Sequence, residues 1–465
     1  MGGPDQDKCD DPQHAEPERV CHGAAAGVKK PHVPNLSVRI ETDLAGVRAA
    51  QWDALDHGGS PFLEYGFLRA LERSKSIGDA AGWAQHYILV ERGVGDEVEL
   101  VGAVAAFLKD HSYGEYIFDF GWARAAQRSG VPYYPKLVIA APVTPATGRR
   151  ILLAPSLAPD DRLQVTQLLI AAVRELADVL DVGSVHWLFC TESETGELAN
   201  AGFMPRASFQ FHWKNAGYAD FDAFLAQLSS RKRKQIRKER RRALDAVDGA
   251  VEFVPGHALS DSDVQTLDGF YRRTCAMHGG QDYLQPGFFE TLRETLPNRM
   301  LFARVKQQGA TVAGALYLQT ESALYGRYWG CAAEIPFLHF ETAYYAGVER
   351  CIDRGLALFE AGAQGEHKLL RGFVPSATYS NHWIRHRGLS NAVRRSLRDE
   401  ARSLPSYMRE LGKYAPFRRG NDGELLPMEP APDDGATTPE TAETEGEPIA
   451  IEAQPAREIG EEGTQ

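Results

Sequence analysis

Residues 359–375, FEAGAQGEHKLLRGFVP, concentrate side chains that can exchange protons and hold anions. Carboxylates and imidazoles are common general bases, and lysine and arginine bind anionic groups. Within twelve residues the segment carries Glu360, Gln364, Glu366, His367, Lys368 and Arg371. Such a polar loop, flanked here by Gly362 and Gly365, is costly to bury unless its groups have partners. The segment is therefore predicted to carry chemistry rather than to serve only as a connector.

Two preceding stretches add further candidates. LYGRYWG (324–330) is typical of a strand, and FLHFETAYYAGVERCIDRG (337–355) of a loop followed by a helix. Tyr325 and Tyr328 fall on the strand, and His339 and Glu341 open the helix. With the strand FEAGA that follows, the region is predicted to run strand, loop, helix, strand and polar loop. The rest of the chain is expected to deliver this region to a substrate.

Several of these candidates also have a purely structural interpretation. Tyr325 and Trp329 are of the types that pack in cores, and Glu341 stands where a carboxylate complements the helix dipole. Cys331 follows the strand, but a buried structural thiol is more common than a nucleophile. The adjacent pair Glu366 and His367 is harder to explain structurally.

A strongly basic helical region precedes the second half of the chain. Residues 231–242 hold nine lysines or arginines in twelve positions, with Glu239 as the one acid. Apolar residues are sparse, so only a narrow face can dock on a core. The run is either a solvated face or a surface for a polyanion such as the phosphates of a nucleotide, CoA or RNA. The predicted phosphate-binding residues are Arg231, Arg233, Lys234, Arg237 and Lys238.

The elements that position these residues follow one pattern twice. The first copy runs from a helix over 60–74, through a hairpin and further elements, to an alternating strand over 208–215. The second runs from a helix over 264–279 to an alternating strand over 377–386. In the first copy, residues 111–123 are expected to form a strand leading into a loop. This repetition of pattern indicates an internal duplication.

The net charge of −12 describes mainly one end of the chain. Residues 421–465 hold thirteen acidic residues and one basic residue, Arg457, which leaves 50 of each sign from the 63 acidic and 51 basic residues of the chain. At 465 residues the chain suggests several domains. Residues 1–36 and 420–465 lack hydrophobic periodicity and are predicted to be disordered.

Cysteine use and hydropathy favour an intracellular protein. The six cysteines are scattered without a CxxC pair, which favours free thiols, and no spacing matches a metal site. The N-terminus lacks the apolar core of a signal peptide, and no apolar run approaches the roughly 20 residues of a membrane span. We therefore expect a cytoplasmic protein with no membrane span and no metal. The sequence does not predict its oligomeric state.

Across residues 60–417 the chain resembles the FemAB-like acyltransferases, whose motifs occur here in family order. The motifs are HSYGEYIFDFGWA, YYPKL, QFHWKN, LSSRKRKQIRKER, LYGRYWG, LHFE and GAQGEHKLLRGF. The resemblance implies a mixed α/β fold with two tandem GNAT-like acyl-CoA N-acyltransferase domains. It also implies transfer of an acyl or aminoacyl group to an amine, as in peptidoglycan biosynthesis.

The polar residues are compatible with the reaction that the resemblance implies. N-acyl transfer needs a neutral acceptor amine, a polarised carbonyl and a protonated leaving group. The catalytic candidates are Glu366, His367, Tyr325, His339 and Glu341. The substrate-binding candidates are Arg327, Tyr328, Trp329, Gln364, Lys368 and Arg371.

The predicted organisation is a first GNAT-like domain over 37–218, a basic helical segment over 219–250 and a second, catalytic domain over 251–419. The first half has no equivalent of GAQGEHKLLRGF, so only the second is expected to be catalytic.

The donor is predicted to be acyl-CoA or aminoacyl-tRNA, and the acceptor a small or nucleotide-linked amine such as a cell-wall precursor. The alternatives are a non-catalytic protein that binds RNA or nucleotides through the basic helix, and a scaffold that only binds a peptide.

Overall fold

In the computed structural model of the chain, residues 36–93, 98–277, 280, 282–363 and 365–418 are described. Within these ranges thirteen strands form one mixed sheet. In chain order the strands are β1 (Leu36–Glu41), β2 (Ala84–Arg92), β3 (Glu99–Lys109), β4 (Lys136–Ile139), β5 (Leu152–Leu153), β6 (Ser184–Cys190), β7 (Met204–Lys214), β8 (Val251–Pro255), β9 (Met300–Gln307), β10 (Ala310–Gln319), β11 (Ala323–Cys331), β12 (Leu358–Glu360) and β13 (Val374–Ile384).

The helices lie between these strands, and several begin at the residues that their capping chemistry favours. Pro159 occupies the first turn of its helix, and Thr191 and Glu194 form a capping box. The helices are α1 (Ala49–Asp53), α2 (Tyr65–Arg73), α3 (Phe120–Arg128), α4 (Pro159–Val179), α5 (Glu192–Asn200), α6 (Phe221–Ala226), α7 (Ser230–Asp245), α8 (Asp261–Met277), α9 (Phe288–Thr295), α10 (Leu338–Phe340), α11 (Ala346–Asp353) and α12 (Arg387–Gly412). A π-helical turn, Glu341–Tyr345, joins α10 to α11.

Counted inward from its two edges, the sheet presents the strands of the first half and those of the second half in corresponding order. The strand order is β1-β2-β3-β4-β6-β13-β7-β12-β11-β10-β9-β8, with β5 paired beside β3. The two halves exchange their last strands, because β13 lies between β6 and β7 while β7 lies between β13 and β12. Neither half of the sheet is therefore complete without the last strand of the other.

Each half contains one parallel strand pair at the corresponding place. In the first half β4 pairs with β6 over four positions, from Lys136 opposite Ser184 to Ile139 opposite Trp187. In the second half β11 pairs with β12 over three positions, which end with Tyr325 opposite Glu360. The described strands thus support the internal duplication that the sequence indicates.

One hydrophobic core extends across both halves. The largest buried cluster includes side chains from the first strands and helices of each half. Phe62 of the first half meets Tyr325 of the second edge to face, with ring centroids 5.1 Å apart. Phe67 meets Phe288 in the same way at 6.1 Å. The two halves are consequently held together by packed aromatic rings as well as by the sheet.

The prediction of a strand within residues 111–123 is wrong. Residues 111–119 form turns, and α3 begins at Phe120. Gly114 and Tyr116 both have positive φ, +77° and +57°, which no strand accommodates. The loop is instead held by Lys136, which donates hydrogen bonds to the buried carboxylates of Glu115 and Asp119 at 2.8 and 2.6 Å.

The domain boundaries of the sequence analysis stay a prediction. In the structure β7 ends at Lys214 and β8 begins at Val251, and α6 and α7 lie between them. Almost all of the predicted disordered tails, together with Cys9 and Cys21, falls outside the described residues. The other four cysteines are free thiols. In the described part of the chain, no helix is both long enough and apolar enough to cross a membrane.

Candidate functional site

The candidate site lies where β11 and β12 stop pairing. β12 ends at Glu360, while β11 continues for six residues beyond Tyr325 to Cys331. We call this opening the second-half split. It contains a cavity of about 70 Å³. The cavity is lined by Ala315, Tyr317, Gly326, Arg327, Tyr328, Trp329, His339, Ala343, Tyr344 and Ala361.

A larger cavity of about 550 Å³ adjoins the split. It is lined by Thr274, Met277, Trp329, Cys331, Ala333, Glu334, Ile335, Pro336, Leu338 and His339. Trp329 and His339 line both cavities, so their side chains stand where the two meet. The loop from β11 to α10 forms one wall. A ligand of some length in the larger cavity could therefore place its end beside His339.

The π-helical turn Glu341–Tyr345 brings side chains of the second half toward this place. Helices of this kind are uncommon and occur often at functional sites. The buried hydroxyl of Tyr317 donates to the carbonyl oxygen of Thr342 at 2.6 Å, within the turn. Tyr344 reaches the Nε2 atom of His367 at 2.8 Å, and Tyr345 donates to Glu239 at 2.5 Å. The turn thus connects the split both to the polar segment and to α7.

His339 combines an accessible ring with a neutral charge state. No described residue forms a hydrogen bond to its imidazole, which packs beside Trp329 at 5.2 Å and Tyr344 at 5.4 Å. Burial lowers the pKa of His339 to about 4, with His367, Arg371 and Lys368 acting in the same direction. At neutral pH the ring is therefore uncharged, and a nitrogen without a bonded proton can accept a hydrogen bond from a ligand.

His367 is neutral too, but it is already engaged. Burial, together with the charges of Arg371 and Lys368, lowers the pKa of His367 to about 4. Its Nε2 atom shares a hydrogen bond with Tyr344, whose pKa burial raises to about 12. Arg371 donates to the carbonyl oxygen of His367 at 2.8 Å and to Glu239 at 3.2 Å. The guanidinium of Arg371 also lies 3.4 Å from the centroid of the Phe340 ring.

A buried charged cluster closes the inner end of the split. Lys368 is 1 % exposed, and it donates to the carbonyl oxygen of Gly362 at 2.7 Å. Burial, with the charge of Arg327, lowers the pKa of Lys368 to about 7. Glu360 is 2 % exposed, and burial raises its pKa to about 7 against the opposing charges of Arg327 and Arg150. Two cations, Arg327 of the second half and Arg150 of the first, thus act on one carboxyl group.

The structure brings some predicted site residues together and leaves others apart. Arg327, Tyr328, Trp329 and His339 line the split. Tyr325 turns its ring to the shared core, and its hydroxyl lies 3.5 Å from the carbonyl oxygen of Gly59.

Of three other candidates, one has a structural partner and two have side chains outside the described part of the structure. Glu341 is buried, and both of its oxygens accept hydrogen bonds from Arg240 of α7, at 2.9 to 3.2 Å. Glu366 opens a 3-10 helix, Glu366–Arg371, where a loop was expected, but its side chain is not described. Gln364 lies outside the described residues.

The basic helix α7 carries cations of two kinds. Its inner face docks on the second half, because Glu239 and Arg240 bind the π-helical turn. Of the predicted phosphate-binding residues, Arg231, Lys234 and Lys238 are exposed, and no described acidic residue forms an ion pair with them. Arg233 is partly buried, and Arg237 pairs with Asp222 at 2.9 Å. The outer face of α7 is therefore a basic surface.

Tyr344 and Glu360 were not assigned roles from the sequence. Tyr344 lies five residues after His339, a spacing that an α-helix would not place on one face. The π-helical turn changes that relation, and FETAYY gives no local signal for it. Glu360 was noted only as part of the polar segment. Among the described residues, no cluster of three or more histidine, cysteine, aspartate or glutamate side chains could hold a metal ion.

Comparison with solved structures gives several similar proteins. FemX is 12% identical over 77% of this chain and 100% of its own, with a TM-score of 0.45. L-PGS from Bacillus licheniformis is 12% identical over 78% of this chain and 99% of its own, with a TM-score of 0.38. A tandem GNAT protein from the clavulanic acid biosynthesis pathway is 12% identical over 75% and 98%, with a TM-score of 0.38. No curated protein matches the chain.

A family model matches most of the chain. The family is FemAB-like, described as peptidoglycan biosynthesis/recognition, and the match covers residues 43–419. This match confirms the predicted family, and the mixed α/β sheet with its two repeated halves confirms the predicted class of fold. The chain therefore belongs to the FemAB-like family.

Proposed function

We propose that the chain transfers an acyl or aminoacyl group from acyl-CoA or aminoacyl-tRNA to an amine, such as that of a cell-wall precursor, in the second-half split. The observation that carries the proposal is His339, a neutral imidazole without a described hydrogen-bond partner between two joined cavities. A general base must have its accepting nitrogen available to the substrate. His339 meets that requirement better than His367, because His367 is bonded to Tyr344.

The proposed reaction uses the two cavities for the two substrates. The donor lies in the larger cavity, with its carbonyl carbon beside Trp329. The acceptor nitrogen attacks that carbon from the split, and His339 removes its proton. The tetrahedral intermediate then collapses as the bond to the thiol sulfur or ribose oxygen breaks. Protonated His339 gives this proton to the leaving group, which restores the neutral imidazole, while the raised pKa of Tyr344 keeps its hydroxyl protonated at the wall of the split.

The polar segment has a supporting part in the same proposal. Tyr344 and Arg371 hold His367 beside the ring of His339, with the two imidazole centroids 6.1 Å apart. Glu366 stays a proposed second base next to His367. Trp329 and Tyr328 contribute the apolar wall against which the substrates pack. The remaining catalytic candidates, Tyr325 and Glu341, would act from farther away through the packing of β11 and α7.

The basic surface of α7 would bind the phosphates of the donor. Arg231, Lys234 and Lys238 recur at three- and four-residue intervals, so they share one side of the helix. CoA and tRNA both carry phosphates that such a stripe attracts. α7 is fixed to the π-helical turn through Arg240, which places the stripe on an element that contacts the site.

The proposal is tested by transfer assays with CoA thioesters and charged tRNA, using wild-type protein and His339→Gln. Wild-type transfer from one donor class, with strong loss in His339→Gln, is the expected result. Transfer by the variant at the wild-type rate would exclude His339 as the base.

A second candidate function is a non-catalytic protein that binds RNA or nucleotides through α7. The unpaired exposed cations of α7 favour it. Salt-sensitive binding of generic RNA, with no acyl transfer and no stabilisation by CoA, would support this alternative. Lys234→Ala with Lys238→Ala should weaken such binding, whereas Arg394→Ala with Arg398→Ala, exposed cations of α12, should not.

A further inference from the structure

We infer that the acyl acceptor carries a free carboxylate, which Arg327 binds through two hydrogen bonds inside the second-half split. The inference rests on the proposed function, because it specifies a substrate of that same site. It concerns the chemical class of the acceptor and not the donor or the transfer step.

Arg327 offers one edge of its guanidinium without a partner. Its Nε and Nη2 atoms are buried, and no described residue accepts a hydrogen bond from either. Nη1 makes a long contact of 3.4 Å with the carbonyl oxygen of Gly326. Nε and Nη2 are neighbouring donors in one plane, and such a pair matches the two oxygens of a carboxylate. A buried donor pair left unsatisfied is unfavourable, so a ligand that satisfies both is expected.

The plane of the guanidinium is fixed by an aromatic ring of the first half. Phe62 lies beneath Arg327, with the guanidinium carbon 4.3 Å from the ring centroid. Phe62 is itself fully buried and packed against Tyr325 and Phe67. Because one face of the guanidinium is covered, a ligand can approach its free edge only in the plane. A planar carboxylate fits that approach.

The charges around Arg327 also favour an anion. Glu360 is the carboxyl group that most offsets the desolvation of Arg327, but its Oε2 atom has no described hydrogen-bond partner. The buried Arg150 acts on the same carboxyl group, and the buried Lys368 lies close enough to Arg327 for their charges to repel. Glu360 therefore faces more positive charge than it can neutralise. A ligand carboxylate supplies the missing negative charge.

The cavity beside Arg327 is small. It holds about 70 Å³ and joins the larger cavity at Trp329 and His339. A planar carboxylate can present its two oxygens to the neighbouring Nε and Nη2 donors in such a space. His339 lines the same small cavity. The amine that it deprotonates must then lie close to the carboxylate, as in an amino acid or a short peptide.

The test compares amines that differ only in this group. Thermal unfolding of the full chain is measured with glycine, alanine and diglycine, each beside its carboxyl amide, at equal concentration. We expect the acids to raise the melting temperature and the amides to bind at least about tenfold more weakly. Equal stabilisation by acid and amide, or no stabilisation by any of the acids, would overturn the inference.

Variants of two arginines that stack on aromatic rings test whether the difference between acid and amide depends on Arg327. Arg327→Met keeps an apolar chain over Phe62 but removes the donors, and we expect the difference between acid and amide to vanish. Arg350→Met is the matched control, because Arg350 lies 4.8 Å from the Phe253 ring on another part of the second half. It should keep the difference.

Unliganded Arg327→Met should melt no lower than wild type, since it loses an unpaired buried charge. A large drop in melting temperature would show that Arg327 is structural and would also contradict the inference. Acyl transfer is scored separately with His339→Gln. If the acid and amide forms of an acceptor are acylated equally well, the proposed carboxylate site is refuted, but the proposed acyltransferase activity is not.

Discussion

The space beyond the parallel strand pair is filled by the chain itself in the first half of the molecule and is a cavity in the second half. In the first half, residues 140–151 fold into the space beyond the β4–β6 pair. Gly148 donates to the carbonyl oxygen of Phe189 at 3.1 Å, and Arg150 donates to that of Leu188 at 2.7 Å. The free end of β6 is thereby bonded to the protein's own chain. In the second half the corresponding space between β11 and β12 is a cavity.

The difference shows how a duplicated fold can keep one site and fill the other. Arg150 and Arg327 are both cationic side chains near Glu360. Arg150 is bonded to three carbonyl oxygens, of Leu188, Ala146 and Arg149. Arg327 leaves two of its donors without a described partner. The first arginine completes a packed structure, and the second is held ready for a ligand.

The largest expected effect is on catalysis in the open half. His339→Gln removes the proposed base from the second-half split, and we expect transfer to fall by about 10²- to 10⁴-fold, the usual contribution of a general base. His257→Gln, an exposed histidine on the short 3-10 helix after β8, should keep the wild-type rate. Steady-state rates of both proteins provide the measurement. Equal rates for His339→Gln and wild type would place the base elsewhere.

The filled half should instead show its effect in stability. Arg150→Met removes the guanidinium donor from three carbonyl oxygens, two of them in buried hydrogen bonds, and we expect the free energy of unfolding to fall by about 3 kcal/mol. Transfer by the protein that remains folded should be unchanged. Urea unfolding and a transfer assay on the same preparation measure the two quantities. An unaltered unfolding midpoint would contradict the filled-split interpretation.

Lys368→Met should make stability respond differently to pH. The pKa of Lys368 is lowered from 10.5 to about 7 in the folded protein, so the unfolded chain binds more protons between these values. Relative to wild type, the variant should gain stability as pH falls from about 10 to 7, by about 1 kcal/mol per pH unit, and then level off. Unfolding curves at pH 6, 7, 8 and 9 test this. A difference that stays constant with pH would show that Lys368 titrates normally.

The smallest expected effect comes from the backbone beside His367. Gly365 has φ +114°, and a Cβ atom there would lie 2.5 Å from the His367 ring. Gly365→Ala should cost about 1 kcal/mol of stability and lower transfer severalfold, because the ring must move. Gly355→Ala is the control, with φ +65° and no atom within 4 Å of the added methyl. If both variants lower transfer equally, displacement of His367 is not the cause.

Much of the fold could be predicted from local sequence patterns. Alternating and amphipathic stretches locate β7, β13, α4 and α7, and the repeated order predicts the duplication. The loop over residues 111–119 could not be read in this way. Its course depends on Lys136, distant in sequence, which binds Glu115 and Asp119 inside the core.

The candidate site, too, could be predicted only in part from local sequence. The polar segment, His339 and the tyrosines of β11 stand out from residue type alone. The pairing of Tyr344 with His367, 23 positions later, does not, because it requires both the π-helical turn and the 3-10 helix after Gly365. The hydrogen bond between Arg240 and Glu341 could not be predicted from local sequence either, since Arg240 lies 101 residues earlier in the chain.

The sequence alone determined the family, the repeated order of elements and the polar residues that cluster near its second copy, because these depend on local composition and spacing. Tertiary structure decided which strand opening is filled and which is open. It also decided that β7 and β13 are exchanged between the halves. These outcomes depend on contacts between residues far apart in the chain, which local patterns do not encode. They separate Arg150, bonded within the protein, from Arg327, whose free edge faces the site.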